Sequence, residues 1–318
     1  MTARGIGLVA RQEIRTRLRA GRWKALLAVW FAVVNGLGLM YRLTLESEHV
    51  TSRGSAGVPM FGGVLLGVLV LTLLVTPALG GQTVNGDRER GTLATLQVTR
   101  LTPAEITLGK LAAAWGTGLL ALLLTLPSVL WPVAEGAVGP WRALVTLLVT
   151  GLLIGVVCAV SQCWSALLAR SVTSVLLSYL TVFGLIVGTP LLFTIAVPLA
   201  SAPPGPGDYA PDRTDRVWWL LAPNPVVVLA DAAPRLPGAT VRSGDVLLYT
   251  RSQRNDPLGQ LSRGVRDIRA GGAYRSEKAP VWPFGLAFDL ALAGGAVWLT
   301  ARRLRTPVQA VPKGVRLA

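Results

Sequence analysis

The stretch Asn85-Gly-Asp-Arg-Glu-Arg-Gly-Thr-Leu-Ala-Thr-Leu-Gln-Val-Thr-Arg-Leu-Thr-Pro-Ala-Glu-Ile-Thr-Leu-Gly-Lys110 is a polar island in an apolar chain. The run 54–86 before it carries no charge, and a second apolar run begins at Leu111. A charged, helix-capable segment held between two runs of that length sits at a membrane face, because a span takes about 20 mostly apolar residues. Working outward, five stretches read as spans: 25–41, 59–83, 111–134, 143–169 and 172–198. A sixth, 281–301, is interrupted only by Asp289. The fold class expected is all-α, a polytopic membrane protein of six helices.

Composition agrees. The 318 residues are 52% hydrophobic and 15% charged, against about 25% charged in a soluble domain. Net charge is +15, from 31 basic and 16 acidic residues. In a soluble chain this would point to nucleic acid. Here the placement reads as topology. Seven basic residues precede the first span, and Arg88, Arg90, Arg100, Lys110 and Arg170 lie in the even-numbered turns. The positive-inside rule then puts both termini and the island in the cytoplasm. Arginine far outnumbers lysine, and alanine, glycine and valine abound, which fits a GC-rich bacterial genome.

The remaining segments fall into place around the spans. Residues 5–22 read as an amphipathic helix, with Ile6, Ala10, Ile14 and Leu18 on one strip and arginines beside it. Such a helix suits the lipid headgroup layer. The segment 201–280 opens with a Pro/Gly linker. It then carries Trp218, Trp219 and a proline-broken apolar run too short to span, expected as a re-entrant or surface helix. The rest of 201–280 reads as a polar extracytoplasmic loop. Residues 1–301 form one transmembrane domain and 302–318 a basic cytoplasmic tail. Three Gly-x-x-x-Gly pairs, Gly63/Gly67, Gly151/Gly155 and Gly184/Gly188, predict close helix packing.

Several chemistries are excluded. Cys158 and Cys163 share one span five residues apart, so they cannot bond to each other and read as core. The single histidine, His49, cannot build the usual zinc sites. Leu79-Gly80-Gly81-Gln82 looks like a fragment of a transport-ATPase signature. No Gly-Lys-Ser/Thr follows, so no P-loop is expected. The reading is of a non-enzyme with no metal and no bound cofactor. Asp289 is the one ionisable residue deep in a span, costing roughly 2.5–3.5 kcal/mol near a bilayer centre. A structural hydrogen bond to a neighbouring span is the expected reason, with substrate contact the alternative.

The island resembles the cytoplasmic segment of type-2 ATP-binding-cassette permeases. The matching residues are Asp87-Arg88-Glu89-Arg90-Gly91-Thr92-Leu93, then Leu96, Pro103-Ala104-Glu105-Ile106 and Gly109-Lys110. The wording covers about 25 residues, from 87 to 110. The layout of basic helix, six spans and a long loop before the last span is similar across nearly the whole chain. Ala94 departs from the family, which often has an acidic residue there. The resemblance implies a permease subunit of an exporter in the bacterial plasma membrane. A separate ATPase in two copies would bind ATP and Mg, and a second permease chain would complete the complex in membrane lipid. It implies an ATPase-coupling role for Glu89, Gly91, Thr92, Leu93, Leu96, Pro103 and Glu105. The residues themselves support ordered structure there. Gly91 permits a turn, Thr92 can cap a helix at Leu93, and Leu93 and Leu96 could enter a partner's groove. Thr102-Pro103-Ala104-Glu105 is a helix start. The rival reading is a secondary transporter that uses Asp289 as a proton site.

Overall fold

A computed structural model describes residues 2–19, 21–47, 56–93, 101–201, 213–236, 240–243, 246–249, 256–271 and 279–305. The chain is a mostly α-helical polytopic membrane protein. Six helical segments are long and apolar enough to cross a membrane. The helices are α1 (Ala3–Arg19), α2 (Gly21–Ser47), α3 (Gly57–Gly80), α4 (Asn85–Glu89), α5 (Pro103–Leu123) and α6 (Leu126–Ala134). They continue with α7 (Pro140–Leu167), α8 (Ser171–Phe183), α9 (Thr189–Ala200), α10 (Pro225–Ala232), α11 (Pro257–Arg269) and α12 (Trp282–Arg305). A two-stranded antiparallel hairpin, β1 (Thr240–Ser243) and β2 (Val246–Tyr249), pairs Thr240 with Tyr249 and Ser243 with Val246. The fold is all-α as expected, with this hairpin its one β element among the described residues.

The centre is built by α3 and α7, whose Phe61, Leu65, Val68, Leu69, Leu153, Ile154 and Val157 share one buried cluster. Lipid is as apolar as leucine, so close fit rather than burial drives such contacts. Gly151 and Gly155 supply that fit. A side chain at either would press on Leu119 or the Trp115 indole, whose N–H donates to the Gly151 carbonyl at 2.7 Å. The Gly184/Gly188 pair does not pack as expected, for neither has a described neighbour within 4 Å of a built Cβ. It bounds a π-helical turn (Gly184–Gly188) between α8 and α9. Cys158 and Cys163 are free and buried.

One span breaks and another widens into a π turn near a proline, and an asparagine meets each irregularity. Expected as one helix, 111–134 instead starts at Pro103 and stops at Leu123, with Pro127 in the first turn of α6. Asn35 of α2 bridges this gap. Its Nδ2 donates to the Leu124 carbonyl at 3.0 Å, and its Oδ1 accepts from the Ser128 N–H at 3.3 Å and hydroxyl at 2.8 Å. Pro190 lacks the N–H that would serve Ile186 in α-register. Asn224 Nδ2 donates to the Ile186 carbonyl at 2.9 Å, while Thr189 Oγ1 donates to Leu185 at 2.7 Å. Membrane-depth backbone cannot turn to water, so side chains satisfy it.

Asn224 also caps α10, its Oδ1 accepting from the Val226 N–H at 2.9 Å. This is the short helix expected to be re-entrant or superficial. It packs into the bundle, where Val228, Leu229 and Ala232 join the central cluster. Gly285 of α12 lets it in, since a Cβ there would lie 1.9 Å from the Ala222 carbonyl oxygen. The polar remainder of 201–280 contains α11, which the sequence reading missed. Asp256 caps it, accepting from Gly259 N–H at 2.9 Å, and Pro257 opens it. Leu258, Ser262 and Val265 form its buried face.

Candidate functional site

Residues of α3, α4, α5, α7, α8 and α12 converge where the island leaves the bundle. The turn after α3 is fixed by Ser165 of α7, whose hydroxyl accepts from Val84 N–H at 3.0 Å and Asn85 N–H at 3.1 Å. Asn85 Nδ2 donates to Ser174 of α8 at 3.3 Å. Arg88 reaches the free carbonyls at the end of α7, Ala166 and Leu168, each at 3.0 Å. These are the carbonyls a helix C-terminus leaves unpaired, and a cation there also suits the helix dipole.

Lys110 lies beneath this layer, with only 2% of its side chain exposed. Its ammonium pairs with Asp87 Oδ2 and with Glu13 Oε1 at 2.5 Å, and donates to the Thr83 carbonyl at 3.3 Å. Three donors meet three acceptors. The pairs tie α1, α4 and α5 together. From sequence Lys110 reads as topology charge and as the end of the matching island, and no local signal marks it as a buried hub.

The expected helix start forms in full. Thr102 Oγ1 accepts from Glu105 N–H at 3.3 Å, and Glu105 Oε2 accepts from Thr102 N–H at 2.8 Å, with Pro103 next to the cap. Glu105 is buried, and its other oxygen takes the Thr2 hydroxyl at 2.9 Å and the Thr2 N–H. α1 therefore packs along α5. The packed face is Gly5, Val9 and Glu13, rotated from the expected Ile6-Ala10-Ile14-Leu18 strip. Ile14 is exposed. Gly109 and Gly5 decide the rotation. A Cβ at Gly109 would sit 2.6 Å from Val9, and one at Gly5 would sit 2.9 Å from Glu105.

Gly91 has φ 69°, so it makes the turn foreseen for it. Helix resumes at Thr92 itself, one residue earlier than expected, and the Thr92 hydroxyl reaches back to Asp87 Oδ1 at 3.3 Å. Leu93 corrects the reading more sharply. It is 8% exposed and clusters with Val84, Ile106, Ala166 and Leu304. It anchors the island to this chain's own spans and offers nothing to a partner's groove. Leu96 lies outside the described residues. Of the named site residues, Glu89, Gly91 and Thr92 are exposed, together with Arg90. Glu89 accepts from the Ser171 hydroxyl at 2.6 Å. Pro103 is half-buried.

Asp289 stands apart, about 22 Å along α12 from Leu304 at 1.5 Å per residue. It is wholly buried, and neither carboxylate oxygen has a hydrogen-bond partner among the described residues. The expected bond to a neighbouring span is absent.

Asp231 was missed altogether. It ends α10 and is 3% exposed. Its Oδ1 accepts from Arg266 Nε at 2.5 Å and Ser262 Oγ at 2.7 Å. Its Oδ2 accepts from the Val281 N–H at 2.6 Å and the Trp282 N–H at 3.0 Å. Burial opposes its ionisation, but the Arg266, Trp282, Ser262 and Val281 donors outweigh that and hold the carboxyl below the usual aspartate value. It joins α10, α11 and the first turn of α12. No group of three or more His, Cys, Asp or Glu among the described residues is placed to hold a metal.

No protein-family model matches this sequence, and no curated protein matches it.

Proposed function

We propose that this chain is the membrane-spanning subunit of an ATP-driven exporter of the type-2 ATP-binding-cassette kind. It sits in a bacterial plasma membrane with both ends in the cytoplasm. Transport is the coarse reading that a polytopic bundle of six apolar spans supports. The finer reading rests on the island and its resemblance to that family. The observation that carries it is mechanical. Glu89, Arg90, Gly91 and Thr92 form an exposed tip on a base wired into five spans. Lys110 and Asp87 tie that base to α5, Ser165 to α7, Ser174 to α8, and the Leu93 cluster to α12. A partner pushing on the tip moves the bundle as a unit, as a two-state transporter requires.

In this reading two copies of a separate ATPase bind ATP and Mg and dock at the tip. A second permease chain packs against spans of low burial, α2 and α8–α9, whose outer faces carry exposed Leu26, Val29, Leu176 and Leu180. α1 lies at the lipid surface, with Leu8 and Ile14 available to it. The chain itself performs no covalent chemistry and binds no nucleic acid. A cysteine at Arg90 or Thr92, crosslinked in the native membrane, tests this, since Cys158 and Cys163 are buried. The expected adduct contains a protein with a P-loop. Adducts free of any P-loop protein, at good yield, would defeat the coupling role.

One observation favours a second reading, a secondary transporter with Asp289 as its proton site. A buried carboxyl without a partner is costly unless it has a task. Transport that persists without ATP and stops in Asp289→Asn would decide for it.

A further inference from the structure

A cavity of about 240 Å³ lies at the end of the bundle opposite the island, where α7 and α12 begin. Arg142, Arg235 and Arg266 line it with Trp141, Trp282 and Asp231. Among the described residues, Asp231 is the only carboxylate in that wall, and it is spent. An ionised carboxylate accepts about four hydrogen bonds, and Arg266, Ser262, Val281 and Trp282 supply four donors. Arg235 donates only to the Ser262 hydroxyl, at 3.3 Å. Its burial, then the Arg266, Arg142 and Arg263 charges, push its guanidinium below the usual value despite Asp231. Arg142 has no ion pair among the described residues. Behind the wall, one buried nitrogen of Arg263 has no hydrogen-bond partner. Among the described residues, Arg142 and Arg235 thus stand at this pocket without a carboxylate of their own.

We propose that this cavity binds a phosphate-type oxyanion, either the phosphoryl group of a lipid headgroup or free phosphate. Guanidinium forks carried on three separate elements suit a tetrahedral anion that accepts from several sides at once, more than a planar carboxylate. The volume is that of several waters at about 30 Å³ each, enough for a phosphoryl group and its ester atoms. Trp141, 75% exposed, and Trp282 place the mouth at headgroup level, where indoles collect. The site goes beyond the transport reading and does not depend on it. Binding needs neither ATP nor a partner chain.

The test uses the full chain purified in uncharged detergent, with two probes. Inorganic phosphate is titrated against thermal stability, and phosphatidylglycerol retention is read by native mass spectrometry. The variants are Arg142→Gln and Arg142→Gln/Arg235→Gln. Arg142 is exposed and unpaired, so its loss leaves folding intact. The wild type is expected to respond to at least one probe, several-fold less in Arg142→Gln and at least about tenfold less in the double variant, with strong salt dependence. A response to phosphate itself identifies the free anion as sufficient. A response to phosphatidylglycerol alone identifies the headgroup. A wild type that binds neither probe overturns the proposal, and so does a folded Arg142→Gln that binds both unchanged.

Discussion

Replacing Lys110 with Met removes a buried ammonium and keeps the bulk of the side chain. The consequence follows from what its partners retain. Glu13 has 27% of its side chain exposed and turns to water. Asp87 has only 11% exposed, but keeps Arg90 at 3.3 Å and the Thr92 hydroxyl. Removing one member of a buried pair costs about 3–5 kcal/mol. The contacts left to Asp87 place Lys110→Met at the low end, about 3 kcal/mol. At about 2 °C per kcal/mol for a chain of this size, melting falls by about 6 °C. Fluorescence-detected size exclusion after heating in detergent measures this. Asp87→Asn in the same background is expected to restore much of the loss, because the stranded charge is then gone. Glu13→Gln alone costs less, about 1 kcal/mol, because Lys110 keeps Asp87 and the Thr83 carbonyl and the amide oxygen can still accept. A Lys110→Met protein melting within about 1 °C of the wild type would show that the ammonium carries no such weight.

Asp289→Leu is expected to raise the melting temperature, because it removes an unsatisfied buried group worth about 1–3 kcal/mol; a fall would mean the carboxyl has a partner after all. Asp231 is held below its ordinary pKa, so its contribution is complete above the unfolded aspartate value and is lost as pH falls through the lower folded value. The melting difference between wild type and Asp231→Asn should be largest at neutral pH and shrink as pH falls below the unfolded aspartate value; a pH-independent gap contradicts the linkage. Gly285→Ala drives a methyl into the Ala222 carbonyl. Proteolysis within 213–236 should accelerate markedly relative to the wild type, and unchanged cleavage would show that α10 docks without that close approach.

The spans were legible because length and apolarity suffice to find them. Their breaks were not, although Pro127 and Pro190 were in plain view. What a proline does to a helix depends on which groups can serve the backbone beside it, and Asn35 and Asn224 come from distant segments. The helix start at Thr102 was readable because every partner lies within three residues. The roles of Lys110 and Asp231 were not, since their partners lie 97 and 35 residues away. α11 could have been found. Asp256-Pro257 opens it, and Leu258, Leu261, Val265 and Ile268 recur at helical spacing. Its many arginines disguised it as loop. Leu93 misled because two leucines one turn apart describe a core anchor as well as a docking ridge, and only burial tells them apart.

The two ends of the bundle are held by charge in different ways, and that difference bears on how the chain moves. At the island, one buried cation meets two carboxylates, one of them from α1, and α1 in turn grips α5 through Glu105. At the other end, one buried carboxylate gathers α10, α11 and α12, while Arg142 and Arg235 have no carboxylate of their own among the described residues. At the island end, the buried cation is thus paired within the chain. At the opposite end, Asp231 is held by four donors. An arriving oxyanion would compete for Arg266, the donor that also lines the cavity, and so would act on the ion pair that joins α11 to α10, while Arg269 keeps α11 on Trp218 and on Phe284 of α12. Anion binding there would therefore be coupled to the Arg266–Asp231 contact. Arg266→Lys, which keeps the charge but loses the fork, should weaken both together.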